Sequence, residues 1–403
     1  MTDSGRDWLL WGSELSPFAL KLALCCRYAG LPHRFLPEQG GWAENWRCVL
    51  RVERLKRGGL PITWPLMSED DELPLVPYLF GPDGENLYDS TAIAQWLDAR
   101  QSLAQPLIPA DPLSGFVARL IDDYADEFLL YTVHHQRWTV SARDNDAGAR
   151  LAREYRFQLG PAGSPLRWGM AQWFSARQTR RLPYLFSVAP QGFQIAGLPA
   201  RRQPPSREGF PPTHALLQAA FIRVTNVLDT LLASRPYVLG VRFTLADAAL
   251  YGQLGMNLAD PSTAGDLRER TPRLHRWLQG LHSGTPAVAD APLQVDGALQ
   301  PLLTEIARIH LPLMQQNAAA HLRLKSAGQR RFNERAFNAG EALYDGLLDG
   351  QPYRTVAKSF QARSWRDCCA RWAALPLSAQ ASFLALAPQA DFSPAAPSPA
   401  APA

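Results

Sequence analysis

Asp89 and Ser90 stand directly before a stretch of the sequence that has the apolar spacing of a helix. Small polar side chains at such a position predict a helix N-cap, where the first backbone N–H groups have no partner inside the helix. These N–H groups attract an anion, whereas the carboxylate of Asp89 attracts a cation. The pair could therefore bind a small zwitterion, although capping alone would also explain both residues.

Val76-Pro77 lies upstream in the apolar run Leu73 to Phe80, which predicts a β-strand. Proline lacks the N–H group that a central strand uses in its ladder of hydrogen bonds. We therefore expect either a cis peptide bond before Pro77 or a position at the edge of a sheet.

Ser16-Pro17 has the composition of an N-cap followed by the first residue of a helix. This helix should run to about Ala29 and stop at Gly30. The simplest role for the Ser16 hydroxyl is to cap it.

The elements around these residues follow one another in a regular order. Predicted strands and helices alternate as β-α-β-α-β-β-α, and the turn sequence Gly81-Pro82-Asp83-Gly84 joins the last two strands as a hairpin. The predicted elements are strands at Trp8–Gly12, His33–Leu36, Leu73–Phe80 and Glu85–Tyr88, and helices at Pro17–Ala29, Trp42–Arg57 and after Asp89. This order is that of a thioredoxin fold.

Composition limits the classes of protein to consider. A length of 403 residues predicts two to three domains, and a net charge of +4 argues against a nucleic-acid partner. No apolar run is long enough to span a membrane, and the first residues do not have the layout of a signal peptide. The cysteines lack CxxC spacing, which argues against a metal site and a disulfide framework and favours a cytoplasmic location.

The first hundred residues resemble the glutathione S-transferase superfamily. The resemblance rests on three short motifs in the family's order and at suitable separations. These motifs are Ser16-Pro17-Phe18-Ala19-Leu20-Lys21, Val76-Pro77, and Asp89-Ser90-Thr91-Ala92-Ile93 with Leu97. The resemblance implies a thioredoxin-like domain that binds glutathione as co-substrate, an all-helical second domain, and a homodimer.

The resemblance also implies roles for individual residues. In the family, the cis-proline strand pairs with the cysteinyl backbone of glutathione, which corresponds here to Val76 and Pro77. In the family, an acidic residue followed by a serine holds the γ-glutamyl group. Asp89 would therefore pair with its ammonium and Ser90 with its α-carboxylate. Ser16 would be catalytic, because a hydroxyl and a helix N-terminus both favour the ionised form of a thiol whose free pKa is about 8.5.

Some positions leave alternatives open. Some family members place the group that activates the thiol two residues before the proline. That position is Leu15 here, which is inert, so Ser13 is the fallback for thiol activation. A cysteine replaces Ser16 in members that resemble glutaredoxin, so thiol–disulfide chemistry by the protein's own sulfur is disfavoured. Many members carry Lys or Gln where this chain has Leu75, and the acidic run Glu69 to Glu72 is unusual near an anionic peptide.

The remaining sequence begins with a proline-rich stretch, Pro106 to Pro112, which predicts a linker between two domains. Thr244 and Asp247 have the spacing of a capping box, and the motif around them resembles the family's buried, structural capping motif. The predicted parts are a glutathione-binding domain at 1–103, a helical domain at 104–290, a helical extension at 291–386 and a disordered Pro/Ala-rich tail at 387–403.

Two functions follow from these observations. The first is a glutathione transferase that conjugates the thiolate to a small apolar electrophile. The alternative is a non-catalytic protein that keeps the fold and uses its extension for contacts with partners.

Overall fold

The computed structural model describes residues 7–65, 76–100, 103, 105–159 and 167–394. The N-terminal domain is a four-stranded mixed sheet with three helices, in the predicted order. Its elements are β1 Trp8–Trp11, α1 Pro17–Tyr28, β2 His33–Leu36, α2 Trp42–Lys56, β3 Tyr78–Phe80, β4 Asn86–Tyr88 and α3 Ser90–Arg100. The predicted start of the third strand, residues 73–75, lies outside the described residues.

The strands of this sheet lie in the order β2-β1-β3-β4. Strand β1 pairs in parallel with β2 and antiparallel with β3, and β4 is antiparallel to β3. Alternate side chains enter different cores because a strand has a period of two. Leu10, Leu79 and Leu87 pack with residues of α1 and α3, whereas Trp11 and Tyr78 pack with residues of α2.

The second domain is helical, as predicted. Its helices are α4 Pro112–Tyr124, α5 Leu130–His135, α6 Ala147–Leu159, α7 Arg167–Arg180, α8 His214–Leu231, α9 Leu245–Gly255, α10 Pro261–Arg270 and α11 Pro272–Ser283. Two π-helical segments, Ala125–Leu129 and Gln136–Val140, flank α5. Together with α4 and α5 they form one continuous central helix.

The two domains are packed directly against each other through α1 and α9. A Cβ atom at Gly252 of α9 would lie 2.6 Å from the carbonyl oxygen of Pro17 and 2.7 Å from the Cβ of Lys21. Only a residue without a side chain allows this approach. The start of α1 is therefore fixed against the helical domain.

The capping box at the start of α9 confirms the structural role predicted for Asp247. Its carboxylate accepts hydrogen bonds from the backbone N–H groups of Val238, at 2.8 Å, and Thr244, at 2.9 Å. Thr244 caps the helix in return, which completes the reciprocal arrangement. Both residues are fully buried, so the motif is part of the core of the helical domain.

A buried pair of histidines lies beside the central helix. The Nδ1 atom of His135 is 2.9 Å from the Oγ atom of Ser187, and the His135 ring packs edge-on against His214 at 4.6 Å. Burial, together with a smaller effect of the neighbouring His214, lowers the pKa of His135 to about 3. The folded state thus favours the neutral imidazole.

This histidine pair makes stability depend on pH. Below the unfolded pKa of about 6.5, the unfolded chain binds a proton at His135 that the folded chain does not. Stability therefore decreases as the pH is lowered. As the pH is lowered from about 6.5 to 5, the loss of stability of the wild type relative to His135→Asn should steepen from about 0.7 to about 1.4 kcal/mol per pH unit. Urea midpoints of both proteins across this range measure the difference, and a difference independent of pH would contradict the prediction.

The extension contains helices α12 Gln300–Glu305, α13 Leu311–Ser326, α14 Glu334–Ala339, α15 Ser359–Ala373 and α16 Leu377–Leu386. The prediction of an entirely helical extension is wrong between residues 343 and 356, where strands β5 Leu343–Leu348 and β6 Gln351–Val356 form an antiparallel hairpin. The two-residue turn Asp349-Gly350 has positive φ at both positions. This turn favours a hairpin over the helical continuation that the apolar spacing suggested.

The prediction of a disordered segment from residue 387 is also wrong for its described part, residues 387–394. Phe392 is buried and stacks on Trp372 with a centroid distance of 4.5 Å. Both rings contact Phe116 of α4, at 5.3 Å and 5.4 Å. Burial of a phenylalanine among aromatic rings outweighs the surrounding Pro/Ala-rich composition. The extension therefore covers the outer face of α4.

Within the described residues, no helix has the length and apolar character that spanning a membrane requires.

Candidate functional site

The register of the sheet brings the predicted site residues to one edge. Trp11, the last residue of β1, pairs with Tyr78, the first residue of β3. Tyr78 in turn pairs with Tyr88, the last residue of β4. The loop that leads to Ser16, the Val76-Pro77 segment and the start of α3 at Asp89 therefore leave the sheet on the same side.

Ser16 is the N-cap of α1, as predicted. Its backbone is extended, with φ −95° and ψ 118°, and its Oγ atom accepts a hydrogen bond from the Ala19 N–H group at 3.4 Å. The residue is 9 % exposed. A hydroxyl that accepts one hydrogen bond keeps its own proton for donation. Capping and stabilising an anion are therefore compatible roles for Ser16.

The peptide bond between Val76 and Pro77 is cis, which confirms the first of the two predicted explanations for this proline. Pro77 is buried directly before β3. Leu75 and the acidic run at 69–72 lie outside the described residues.

Asp89 makes the turn from β4 into α3 in a left-handed conformation, with φ 70°. Aspartate is one of the few residue types besides glycine that enters this region readily. Its Oδ1 atom accepts a hydrogen bond from the Ala92 N–H group at 3.0 Å, so it caps α3. Burial raises the pKa of Asp89, while this hydrogen bond and the charge of Lys21 lower it. Ser90 is buried beside it as the first residue of α3.

A buried ion cluster ties the start of α3 to the other elements. The ammonium of Lys21 on α1 contacts Asp122 and lies 2.6 Å from Asp126 and 2.8 Å from the Thr91 hydroxyl. Thr91 also donates to Asp122 at 2.8 Å. Lys21 is 0 % exposed. Burial lowers its pKa, but the carboxylates of Asp122 and Asp126 outweigh burial and hold the pKa above its ordinary value.

The loop before α1 is held by a buried arginine of the helical domain. The Arg137 guanidinium lies 2.9 Å from the Asp260 carboxylate and donates to the Met256 carbonyl at 2.6 Å. It also donates to the Leu15 carbonyl at 3.4 Å. This contact holds the backbone directly before Ser16.

Ser13, the fallback for thiol activation, is already engaged by a carboxylate. Its hydroxyl donates to the Oε1 atom of Glu154 on α6 at 3.0 Å. This carboxylate oxygen also accepts a hydrogen bond from the Glu14 N–H group at 3.1 Å. Burial raises the pKa of Glu154 to about 7, against the effect of these two hydrogen bonds. An ionised Glu154 competes for the Ser13 proton, which makes Ser16 the better donor.

Three residues at this edge were missed in the sequence: Lys21, Arg137 and Glu154. Lys21 lies within the Ser16 motif, but its spacing gave no indication of its partners. Arg137 and Glu154 act on residues more than 100 positions away, at Leu15 and Ser13. Such contacts leave no local pattern that could have revealed them.

The arrangement can bind a small ligand that carries both charges. The Asp89 carboxylate offers an acceptor for a cation, and the helix N-terminus at Ser90 favours an anion. The Ser16 hydroxyl at the N-terminus of α1 can donate to a second anion nearby. In the Lys21 cluster, Asp122 and Asp126 share a single ammonium, so an additional cation beside Asp89 is electrostatically favourable.

Comparison with protein families gives two matches. Residues 15–100 match the glutathione S-transferase N-terminal domain, and residues 211–280 match the glutathione S-transferase C-terminal domain. These two regions belong to the glutathione S-transferase superfamily. Both matches fall where the mixed sheet and the helical domain lie, and neither includes the extension. A search of curated proteins finds no match to the chain.

Solved glutathione S-transferases are similar to this chain at low sequence identity. One from Methylobacterium radiotolerans, in complex with glutathione sulfonate, is 20% identical, covering 71% of this chain and 98% of its own, with a TM-score of 0.34. One from Rhodospirillum rubrum is 15% identical, covering 71% and 95%, with a TM-score of 0.39. A Tau-class enzyme from mango is 14% identical, covering 70% and 90%, with a TM-score of 0.36.

Proposed function

We propose that this chain binds glutathione at the edge formed by the α1 loop, Val76-Pro77 and the start of α3. We further propose that it acts as a glutathione transferase on small apolar electrophiles. The convergence of Ser16, Pro77 and Asp89 at one end of the sheet carries the proposal. The matches to the N- and C-terminal domains of glutathione S-transferases support it.

The γ-glutamyl end and the peptide backbone of glutathione each have a matching group in this arrangement. The γ-glutamyl ammonium pairs with Asp89, and its α-carboxylate lies at Ser90 and the N–H groups of α3. The backbone around Val76 hydrogen-bonds the extended peptide in the manner of an added strand. The two charges of the γ-glutamyl group are thus matched without leaving a buried charge unpaired.

Ser16 stabilises the ionised thiol in this proposal. Its hydroxyl donates to the sulfur, and the positive end of α1 adds to the effect. Bound glutathione supplies the nucleophilic sulfur. The protein holds that sulfur as an anion beside the helical domain, where an apolar electrophile is sheltered from water.

We propose that the chain forms a homodimer. The extension limits which surface of the molecule the dimer can use. In superfamily members, the helix equivalent to α4 lines the dimer interface. Here Phe116 of α4 is covered by Trp372, Phe383 and Phe392 of the same chain. A homodimer must therefore form through another face of the molecule.

The alternative is a scaffold that uses its extension to bind partners. Trp365 and Phe383 of the extension are buried within the chain, whereas Leu347, Phe360 and Leu377 are exposed. The exposed side chains remain available to a partner. Lack of glutathione binding would favour the scaffold.

Retention on immobilised glutathione tests the proposed binding. Wild-type protein should be retained and eluted by free glutathione, whereas Asp89→Ala should pass through because the ammonium loses its partner. Loss of a charged hydrogen bond lowers affinity by about tenfold or more. Asp83→Ala, which removes an exposed carboxylate from the β3–β4 turn, is the matched control and should be retained. Equal retention of Asp89→Ala and wild type would contradict the assigned site.

A further inference from the structure

The turn before α1 is closed by hydrogen bonds to Ser13. The Ser16 N–H group donates to the Ser13 carbonyl oxygen at 2.9 Å, and the Leu15 N–H group donates to the Ser13 hydroxyl oxygen at 3.1 Å. Side-chain bonds of this kind to a nearby backbone N–H group are typical of serine in turns. The placement of Ser16 is therefore linked directly to that of Ser13.

Glu154 of α6 binds this turn from the helical domain. Its Oε1 atom accepts hydrogen bonds from the Ser13 hydroxyl, at 3.0 Å, and from the Glu14 N–H group, at 3.1 Å. Hydrogen bonds to an ionised acceptor are roughly twice as strong as those between neutral groups. One carboxylate oxygen thus holds two consecutive residues of the turn, and the single proton of the Ser13 hydroxyl is used in doing so.

The turn has a second contact with the helical domain at Leu15, whose carbonyl oxygen accepts a hydrogen bond from Arg137 at 3.4 Å. Arg137 also pairs with the buried carboxylate of Asp260. Its removal would leave that charge unpaired and would destabilise the whole domain. Glu154 is only half-buried, so it can be replaced without leaving a charge in the core.

We propose that Glu154 is a positioning residue for the glutathione transferase reaction: through Ser13 and Glu14, its carboxylate aims the Ser16 hydroxyl at the sulfur of bound glutathione. This inference rests on the proposed function and adds to it a residue of the helical domain. Residue 154 lies outside both stretches that match the family's domains, so neither match assigns it a role.

The geometry that Ser16 needs explains why its turn must be held. A donor stabilises a thiolate only when its O–H group points at the sulfur, and a misplacement of about 1 Å can lower a rate by about 100-fold. The Ser16 Oγ atom also caps α1 by accepting a hydrogen bond from Ala19 at 3.4 Å, which restricts the directions open to its proton. A fixed turn lets the hydroxyl fulfil both roles.

Two substitutions at Glu154 test the proposal on the full-length chain. Glu154→Ala removes the acceptor of both hydrogen bonds, whereas Glu154→Gln keeps an amide oxygen in its place. With saturating glutathione at pH 8, Glu154→Ala should reduce the thiolate absorbance and lower kcat with a model aryl halide by about 10- to 100-fold. Glu154→Gln should keep most of both signals.

A second ligand shows whether the peptide site itself is intact. S-methylglutathione keeps the peptide of glutathione but has no thiol to ionise, so its binding does not depend on a hydroxyl that stabilises a thiolate. Glu154→Ala should bind it with the affinity of wild type in calorimetry, because Asp89 and Ser90 still hold the γ-glutamyl group.

Arg153→Ala is the matched control variant, since it replaces the exposed neighbour of Glu154 on α6. It should equal wild type in rate, thiolate absorbance and affinity. Burial raises the pKa of Glu154 to about 7, so measurement at pH 8 keeps its carboxylate largely ionised. Thermal melting shows whether each variant is folded. If alanine unfolds the chain, Glu154→Asp replaces it, because its shorter side chain withdraws the carboxylate from the turn and should cause the same losses.

The outcomes separate the role of Glu154 from the proposed function. If wild-type protein binds neither glutathione nor S-methylglutathione, the proposed function fails, and the role of Glu154 fails with it. If wild type forms the thiolate and Glu154→Ala forms it equally well, only the role of Glu154 is overturned. Weaker binding of S-methylglutathione by Glu154→Ala, or losses in Glu154→Gln as large as those in Glu154→Ala, would show a structural effect and would also overturn it.

Discussion

Lys21→Met should lower the free energy of unfolding by about 3–5 kcal/mol. The substitution removes the ammonium that Asp122 and Asp126 share and leaves both carboxylates buried without their cation. It also removes the donor to Thr91 at the start of α3. Urea denaturation of wild type and variant measures the difference. We expect this effect because breaking a buried ion cluster leaves charges that water can no longer solvate.

Two controls distinguish the ion cluster from a general effect of losing a lysine. Lys56→Met removes an exposed lysine that lies 3.5 Å from Glu53, and it should change stability by no more than about 0.5 kcal/mol. Adding Asp122→Asn and Asp126→Asn to Lys21→Met should restore most of the loss, because the buried charges are then gone. An equally small loss for Lys21→Met and Lys56→Met would show that the cluster contributes little.

Ser16→Ala should leave glutathione bound and remove most of its thiolate. The variant lacks the hydroxyl that donates to the sulfur, and loss of such a donor lowers rates by about 10²–10³-fold. Ultraviolet difference absorbance of the thiolate and the rate with a model aryl halide measure the two effects. A thiolate signal unchanged in Ser16→Ala would assign activation to another group, and its loss in Ser13→Ala would identify Ser13.

Capping and activation by Ser16 can be separated with a second variant. Alanine also removes the N-cap of α1, which costs about 1 kcal/mol of stability. Ser16→Asp keeps a side chain that caps well but, once ionised, cannot donate a hydrogen bond. It should therefore keep the stability of the wild type while losing the thiolate. A thiolate signal in Ser16→Asp equal to that of wild type would contradict the role assigned to the hydroxyl.

The features predicted correctly from the sequence are those determined by near neighbours. The N-cap at Ser16, the cap at Asp89 and the box at Thr244 and Asp247 each depend on residues within one helical turn. Val76-Pro77 was recognisable because proline restricts its own peptide bond. The order of strands and helices along the N-terminal domain was likewise predicted from local patterns of apolar and turn residues.

The features that were missed depend on distant contacts. The acidic residues of the central helix showed no partners in the sequence, because Lys21 is about 100 positions away and Arg371 nearly 250. The hairpin at 343–356 is an exception, since Asp349-Gly350 is a local turn signal that predicts it. The packing of Phe392 had no such signal, because composition alone does not identify a single buried ring.

Calorimetric titration of the wild-type chain with glutathione tests the central claim most directly. We predict saturable one-to-one binding at cellular glutathione concentrations, with proton release that reflects ionisation of the thiol. The absence of binding heat in two buffers of different ionisation enthalpy, with folded protein, would contradict the claim that this edge of the sheet is a glutathione site.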